Sequence, residues 1–406
     1  MNNCFALLRL KKIIFIISSF LFITQAVFAQ YDSTKTEIPR PIKCLVIEPT
    51  LRIGKIIKNF PDFPDRGPAV LSEINITQQC SGNKQWHQLY GYPAAGVAFI
   101  YGIMGNDEVF GRNFAILPNL SFTSKKYRRW GFCYKIGMGF AFYTKKYDRA
   151  TNPANNLIGT TMTNMALGSV DFRYDISSYY TLLAGISAIH YSDAHFQIPN
   201  VGINFPAFNV SLKYFPFGRP ELFRRDSLPG FNRKILFNLR LGIGMNEYGD
   251  AIKPTNGPKF PIYNGSLYLS KRYTAKNNVS LGIHINYHTS FYDYIVQQDV
   301  YDHNRRIRAF TGQIFIGHEF LIGHFGLITQ LGIYVYNPFY KKRQELQGLP
   351  NSFNNWIKRY NSNKIGVQYY FINPMISNKN KVFIGLYLKS NFGQADFAEL
   401  SIGCAF

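Results

Sequence analysis

His190 and Ser192 stand two residues apart at the end of a stretch that alternates like a β-strand. Successive strand side chains point to opposite faces, so the imidazole and the hydroxyl share one face. An imidazole can take the proton of a serine hydroxyl and turn it into a nucleophile toward an ester carbonyl. Running back along the same face come Ala188, Ile186, Ala184, Leu182 and Tyr180. A base and a nucleophile at the rim of an apolar wall point to hydrolysis of a lipid ester. On an arbitrary strand, His-x-Ser is more often an interface histidine beside a loop serine. What surrounds the strand therefore decides.

The surroundings read as a membrane barrel. Of the 406 residues, 36 are Phe and 28 are Tyr, and aromatics make up 17%. That is heavy for a soluble enzyme and ordinary for a barrel with aromatic girdles. Past the N-terminus no stretch is long and apolar enough for a transmembrane helix, and the hydrophobic residues alternate instead. At the N-terminus, Arg9, Lys11 and Lys12 precede the apolar run 13–23 and a Val27-Phe28-Ala29 cleavage site. This predicts a secretory signal over 1–29, a leader over 30–42 and an outer-membrane β-barrel over 43–406. At the other end Ala398, Leu400, Ile402 and Cys404 share a face, and the chain closes on Phe406. Such a terminal strand resembles the signal read by the barrel-assembly machinery. A soluble periplasmic sandwich is the weaker alternative.

The formal charge of +22 suits anionic partners. For an exported barrel these are phosphates of outer-leaflet glycolipid, and export argues against nucleic acid. Cys44 and Cys80 could pair in an oxidising compartment, whereas Cys133 and Cys404 read as packing residues. No metal-ligand cluster and no cofactor motif stands out. A homodimer is left open.

Sixteen candidate strands run from about residue 44 to the C-terminus, and the expectation is one antiparallel all-β barrel of about sixteen strands, with twelve or fourteen as alternatives. Short connections (126–127, 177–178, 275–278, 321–323, 376–380) alternate with long ones (145–160, 193–203, 249–261, 294–307, 337–362). The parity puts the C-terminus in the periplasm and the loop after Ser192 outside the cell. Residues 217–233 break this pattern as a long periplasmic segment. Trp130, Phe132, Tyr134, Ile136, Met138, Phe140 and Phe142 share a lipid-facing register, as do Phe208, Val210, Leu212 and Tyr214. Lys135, Asn209, Ser211 and Lys213 fall on the opposite faces.

His190-Tyr191-Ser192-Asp193-Ala194, followed by Pro199-Asn200-Val201-Gly202-Ile203-Asn204, resembles the active-site segment of the lipid A 3-O-deacylases (PagL), the acyloxyacyl hydrolase family. Further stretches resemble a longer-barrel branch: Gly91-Tyr92-Pro93, Asn106-Asp107-Glu108-Val109, Tyr143-Thr144-Lys145-Lys146-Tyr147-Asp148-Arg149, Asn155-Asn156, Ala395-Asp396-Phe397 and Ile402-Gly403. The resemblance implies an outer-membrane barrel that cleaves an ester-linked acyl chain from lipid A with a serine-histidine-acid site on its outer wall. It implies Ser192 as nucleophile, His190 as general base and Asn200 as an oxyanion donor. Two positions depart from the family. Asn204 stands where the acid is expected, and Asp193 where an asparagine usually follows the serine.

An amide can accept the imidazole N–H but brings no charge. In a serine protease the acid-to-amide change costs ~10⁴ in turnover. Regular alternation sends Asp193 toward the lumen unless a bulge re-aims it. Asn164 shares the face of Ser192 on the preceding strand and could contribute hydrogen bonds, or be a girdle amide. His195 reads as an exposed loop residue. Two functions remain: an esterase acting on lipid A or a related glycolipid, or a weakened or inactive barrel serving as a pore, a lipid-binding protein or part of a surface complex.

Overall fold

A computed structural model describes residues 40–406, apart from 61–62, 127, 222–226, 229, 250–256, 349, 351, 377–380 and 392–393. The expected signal and most of the leader lie outside the described residues. The chain forms sixteen strands: β1 (Leu45–Gly54), β2 (Ala69–Gln79), β3 (Ala94–Ile103), β4 (Arg112–Thr123), β5 (Trp130–Tyr143), β6 (Met162–Asp175), β7 (Tyr180–Ser192), β8 (Ile203–Tyr214), β9 (Ile235–Glu247), β10 (Lys259–Arg272), β11 (Asn277–His288), β12 (Phe310–Ile322), β13 (Phe325–Tyr336), β14 (Asn361–Tyr370), β15 (Lys381–Asn391) and β16 (Gln394–Ala405).

The count of sixteen stands, but a single sixteen-strand barrel does not. β1 pairs antiparallel with β8, with Thr50 opposite Ser211 and Gly54 opposite Ala207. β9 pairs with β16, with Met245 opposite Ala398 and Asn238 opposite Ala405. The strands thus close into two eight-stranded barrels, β1–β8 and β9–β16. Each repeats a period of two, and that period says nothing about which strand the first one meets. The segment 215–234, anomalous as a periplasmic turn, is the connection that leaves one closed ring and begins the next.

Eight strands leave a bore just wide enough for side chains to fill. In the first barrel Lys135 on β5 donates to Glu48 on β1 at 2.7 Å and to Glu73 on β2 at 2.8 Å. Arg52 donates to the same Glu73 at 2.9 Å. β5 and β1 lie on opposite sides of an eight-strand ring, so the Lys135–Glu48 pair spans the bore, which only a narrow barrel allows. In the second barrel Arg240 lies 3.6 Å from Glu399, Lys364 also pairs with Glu399, and Lys389 pairs with Asp396 at 2.6 Å. A buried pair that loses one partner leaves an uncompensated charge, which costs ~3–5 kcal/mol. Lys135→Met, which leaves Glu73 with Arg52 alone and Glu48 with only Lys213 at 3.6 Å, is expected to lower unfolding stability in urea by up to about that amount, whereas an unshifted midpoint would mean the network carries no such load.

The outer walls match the alternation. Trp130, Phe132, Tyr134, Ile136, Met138, Phe140 and Phe142 are exposed, and Phe208 and Val210 likewise. Lys135, Asn209, Ser211 and Lys213 are buried inside. Among the described residues no helix is long and apolar enough to cross a membrane; the apolar walls belong to strands. The C-terminal strand completes the second ring, with Phe406 N–H donating to Phe237 O at 2.9 Å and the two rings 5.3 Å apart. Cys44 and Cys80 remain thiols rather than a disulfide. The register sets Cys44 beside Gln79, where Gln79 N–H donates to Cys44 O at 2.8 Å, so Cys80 falls one place past it.

Candidate active site

β7 carries His190 outward at its end because Tyr191 points inward. Tyr191 packs in the first barrel's core, its ring edge-on to Tyr143 at 5.7 Å. His190, one residue back, is exposed on the wall above Ala188 and Ile186. Its cross-strand partner on β8 is Asn204. There the imidazole Nδ1 meets Asn204 Oδ1 at 2.9 Å. The amide expected at the acid position therefore does touch the ring, and its carbonyl can accept the Nδ1 proton, which leaves Nε2 as the basic nitrogen.

Gly202 leaves room for the ring close to the loop. Its φ of +75° favours glycine, and a Cβ there would sit 3.1 Å from His190 Cε1 and 3.0 Å from Tyr191 O. The motif contains this glycine, yet its role is visible only once the imidazole is placed.

Ser192 ends the strand and is buried under the loop 193–202, with 8% of its surface exposed. Asn200 Nδ2 donates to Ser192 Oγ at 3.0 Å, and the Ala194 backbone N–H donates at 3.2 Å. Asp193 N–H donates to Asn200 Oδ1 at 3.3 Å, which fixes the amide so that its NH₂ faces the hydroxyl. Ala194 and His195 both adopt left-handed backbone, with φ of 60° and 66°, a conformation uncommon for residues with a Cβ. This tight reversal aims the Ala194 N–H back at Ser192.

The predicted residues thus fall into two adjoining groups, His190 with Asn204 and Ser192 with Asn200. Among the described residues no hydrogen bond joins His190 to Ser192. Such a bond is often long in a protein without substrate and tightens on binding. Asn164 lies directly across from Ser192 on β6 and is half-buried, but makes no described hydrogen bond to it.

Asp193 neither faces the lumen nor reaches His190. It turns into the loop, where its carboxylate accepts from Gln197 N–H at 3.3 Å. Burial pushes its carboxyl up to about 7, against the opposing pull of these hydrogen bonds. The sign follows from linkage: with the folded value above the ordinary one, the closed loop binds its proton more tightly than the open loop does. Closure is therefore favoured at acid pH and weakens as pH climbs toward 7. Amide protection over 193–202, corrected for intrinsic exchange, is expected to fall between about pH 4 and pH 7. Asp193→Asn should flatten that dependence, and a dependence that survives the substitution would assign it to another group.

His195 is a correction. It is buried, with 7% of its surface exposed, because the second barrel covers it. Glu247 at the end of β9 donates its backbone N–H to His195 O at 3.2 Å, and its carboxylate accepts from Ile198 N–H at 3.1 Å. Sequence reading missed Glu247, which is 49 residues beyond Ile198 and belongs to a different ring. Among the described residues there is no group of metal-ligating side chains.

Residues 72–213 match the family model "Lipid A 3-O-deacylase (PagL)", and residues 235–406 match "Acyloxyacyl hydrolase, C-terminal domain". The chain is similar to the crystal structure of the outer membrane enzyme PagL, at 13% identity and a TM-score of 0.31, over 40% of this chain and 97% of that one. It is also similar to CdiB from Acinetobacter baumannii, at 9% identity and a TM-score of 0.18, over 89% of this chain and 60% of that one. A Rhodopseudomonas blastica porin shows 7% identity and a TM-score of 0.17, over 89% of this chain and 99% of that one. No curated protein sequence matches the chain. The two family matches fall one on each barrel, so the first barrel is a lipid A 3-O-deacylase (PagL) domain and the second an acyloxyacyl hydrolase C-terminal domain.

Proposed function

We propose that the protein is an outer-membrane esterase that removes an ester-linked acyl chain from lipid A or a related glycolipid, with Ser192 as nucleophile. The observation that carries this reading is the outward His190, held at Nδ1 by Asn204 on an apolar wall, two residues along β7 from a serine with two hydrogen-bond donors aimed at its oxygen. The acyl chain lies along the wall of β7 and β8, and the ester carbonyl meets Ser192 at its rim. His190 Nε2 takes the hydroxyl proton as Oγ attacks. The negative charge passes to the carbonyl oxygen, where Asn200 Nδ2 and the Ala194 N–H can donate to it. His190 then returns the proton to the leaving alkoxide of the sugar. Water, activated by the same imidazole, releases the fatty acid and frees Ser192. Basic side chains of the long loops, among them Arg305, Arg306, Lys341 and Lys342, suit the glycolipid phosphates.

The alternative is a non-catalytic lipid-binding barrel of the same descent. It is favoured by Asn204 in the acid position and by a serine bonded to Asn200 and Ala194 rather than to His190. A pore fits poorly, because charged and aromatic side chains fill both bores. The test is mass spectrometry of lipopolysaccharide incubated in micelles with the purified protein. Loss of one ester-linked chain supports the esterase, and lipid A of unchanged mass supports the binding protein.

A further inference from the structure

We infer that Glu247 is a positioning residue through which the second barrel holds the Ser192 site of the first in register. This rests on the hydrolase reading and extends it to the C-terminal ring. Loop 193–202 carries Asn200, the residue that orients the Ser192 hydroxyl, and within the first barrel it rests on Gly159, which lies close to Gln197 O and Pro199 O, and on the core through Val201. Glu247 grips it from outside at two points. Its backbone N–H bonds His195 O at 3.2 Å, and its Oε2 accepts from Ile198 N–H at 3.1 Å, two residues before Asn200.

The carboxylate is itself fixed. Its Oε1 accepts from Gly257 N–H at 2.8 Å and its Oε2 from Lys259 Nζ at 2.7 Å. It is fully buried, so water does not compete for these donors. The Lys259 ammonium also lies 5.8 Å from the centroid of the Phe196 ring, a third contact of the second barrel with the same loop. At the opposite end the rings touch again, Lys276 Nζ donating to Leu89 O at 2.9 Å. That second tie keeps the barrels side by side when the Glu247 grip is removed, so the substitution tests the loop rather than the assembly.

The experiment uses the full chain, with folding checked by heat-modifiable gel mobility. Glu247→Ala is expected to lower kcat on lipopolysaccharide by roughly 10–100-fold with KM within about twofold, since misplacing a catalytic constellation costs turnover rather than binding. Glu247→Gln keeps an acceptor for Ile198 N–H and should recover most of the loss. A second readout needs no activity. In Ser192→Cys the new thiol is buried and should label slowly with maleimide, and adding Glu247→Ala should speed labelling at that position about tenfold or more. An unchanged labelling rate at position 192 overturns the inference, as does a kcat equal to wild type alongside a dead Ser192→Ala. If Ser192→Ala keeps full activity, the hydrolase reading fails, and the labelling rate still decides whether Glu247 holds the loop.

Discussion

Ser192→Ala should reduce fatty-acid release from lipopolysaccharide by ~10⁴-fold or more while leaving the barrel folded. The effect is large because, in the proposed mechanism, the hydroxyl carries the acyl chain between the two half-reactions. Removing it leaves the two oxyanion donors and the apolar wall, which in serine hydrolases retain only a residual rate. The barrel should stay folded, since Ser192 sits at a strand end and its ladder bonds are backbone ones, and the loss is confined to the loop, where Asn200 Nδ2 and Ala194 N–H lose the oxygen they donate to. His190→Ala should lose nearly as much, because base and nucleophile act as one unit and their losses do not add. A Ser192→Ala protein that releases fatty acid at the wild-type rate would remove Ser192 from the chemistry.

Asn204→Asp should act in the opposite direction and raise turnover, by up to ~10²–10⁴-fold. The asparagine oxygen already lies 2.9 Å from His190 Nδ1, so an aspartate of the same length puts a carboxylate there without moving the ring. The added charge stabilises the imidazolium that forms as Ser192 attacks, and fixes the tautomer that leaves Nε2 basic. Glutamate, the longer acid, should leave activity equal or higher but must refold its extra methylene against the loop. Asn204 is half-buried on β8, so the shorter aspartate is the cleaner of the two changes. Turnover that stays flat in Asn204→Asp would show that imidazolium stabilisation does not limit the reaction.

Much of this arrangement was legible before the fold was known, and the reasons are particular. Alternation from Trp130 to Phe142 and from Tyr180 to His190 determines which face meets lipid, because a one-residue slip would bury every apolar side chain in the bore. The cross-strand contact of His190 with Asn204 follows from a hairpin, and the motif contains both of its sides. Ring closure was not legible. It depends on β1 meeting β8, a pairing that no local period encodes, although the long segment 215–234 marks where the first ring ends. Burial of His195 and the grip of Glu247 were hidden for the same reason, since both arise from a neighbouring barrel. Asp193 was misplaced by assuming that alternation runs past Ser192, where left-handed Ala194 and His195 reverse the chain.

The reading comes down to a covalent bond at one oxygen. Lipopolysaccharide or a long-chain p-nitrophenyl ester is mixed with the protein, quenched in acid within a turnover and digested for peptide mass analysis. An acyl group on the peptide bearing Ser192, absent in Ser192→Ala and accumulating in a variant slow to deacylate, is the predicted result. Fatty-acid release with no adduct at Ser192, or with the adduct on another residue, would contradict it.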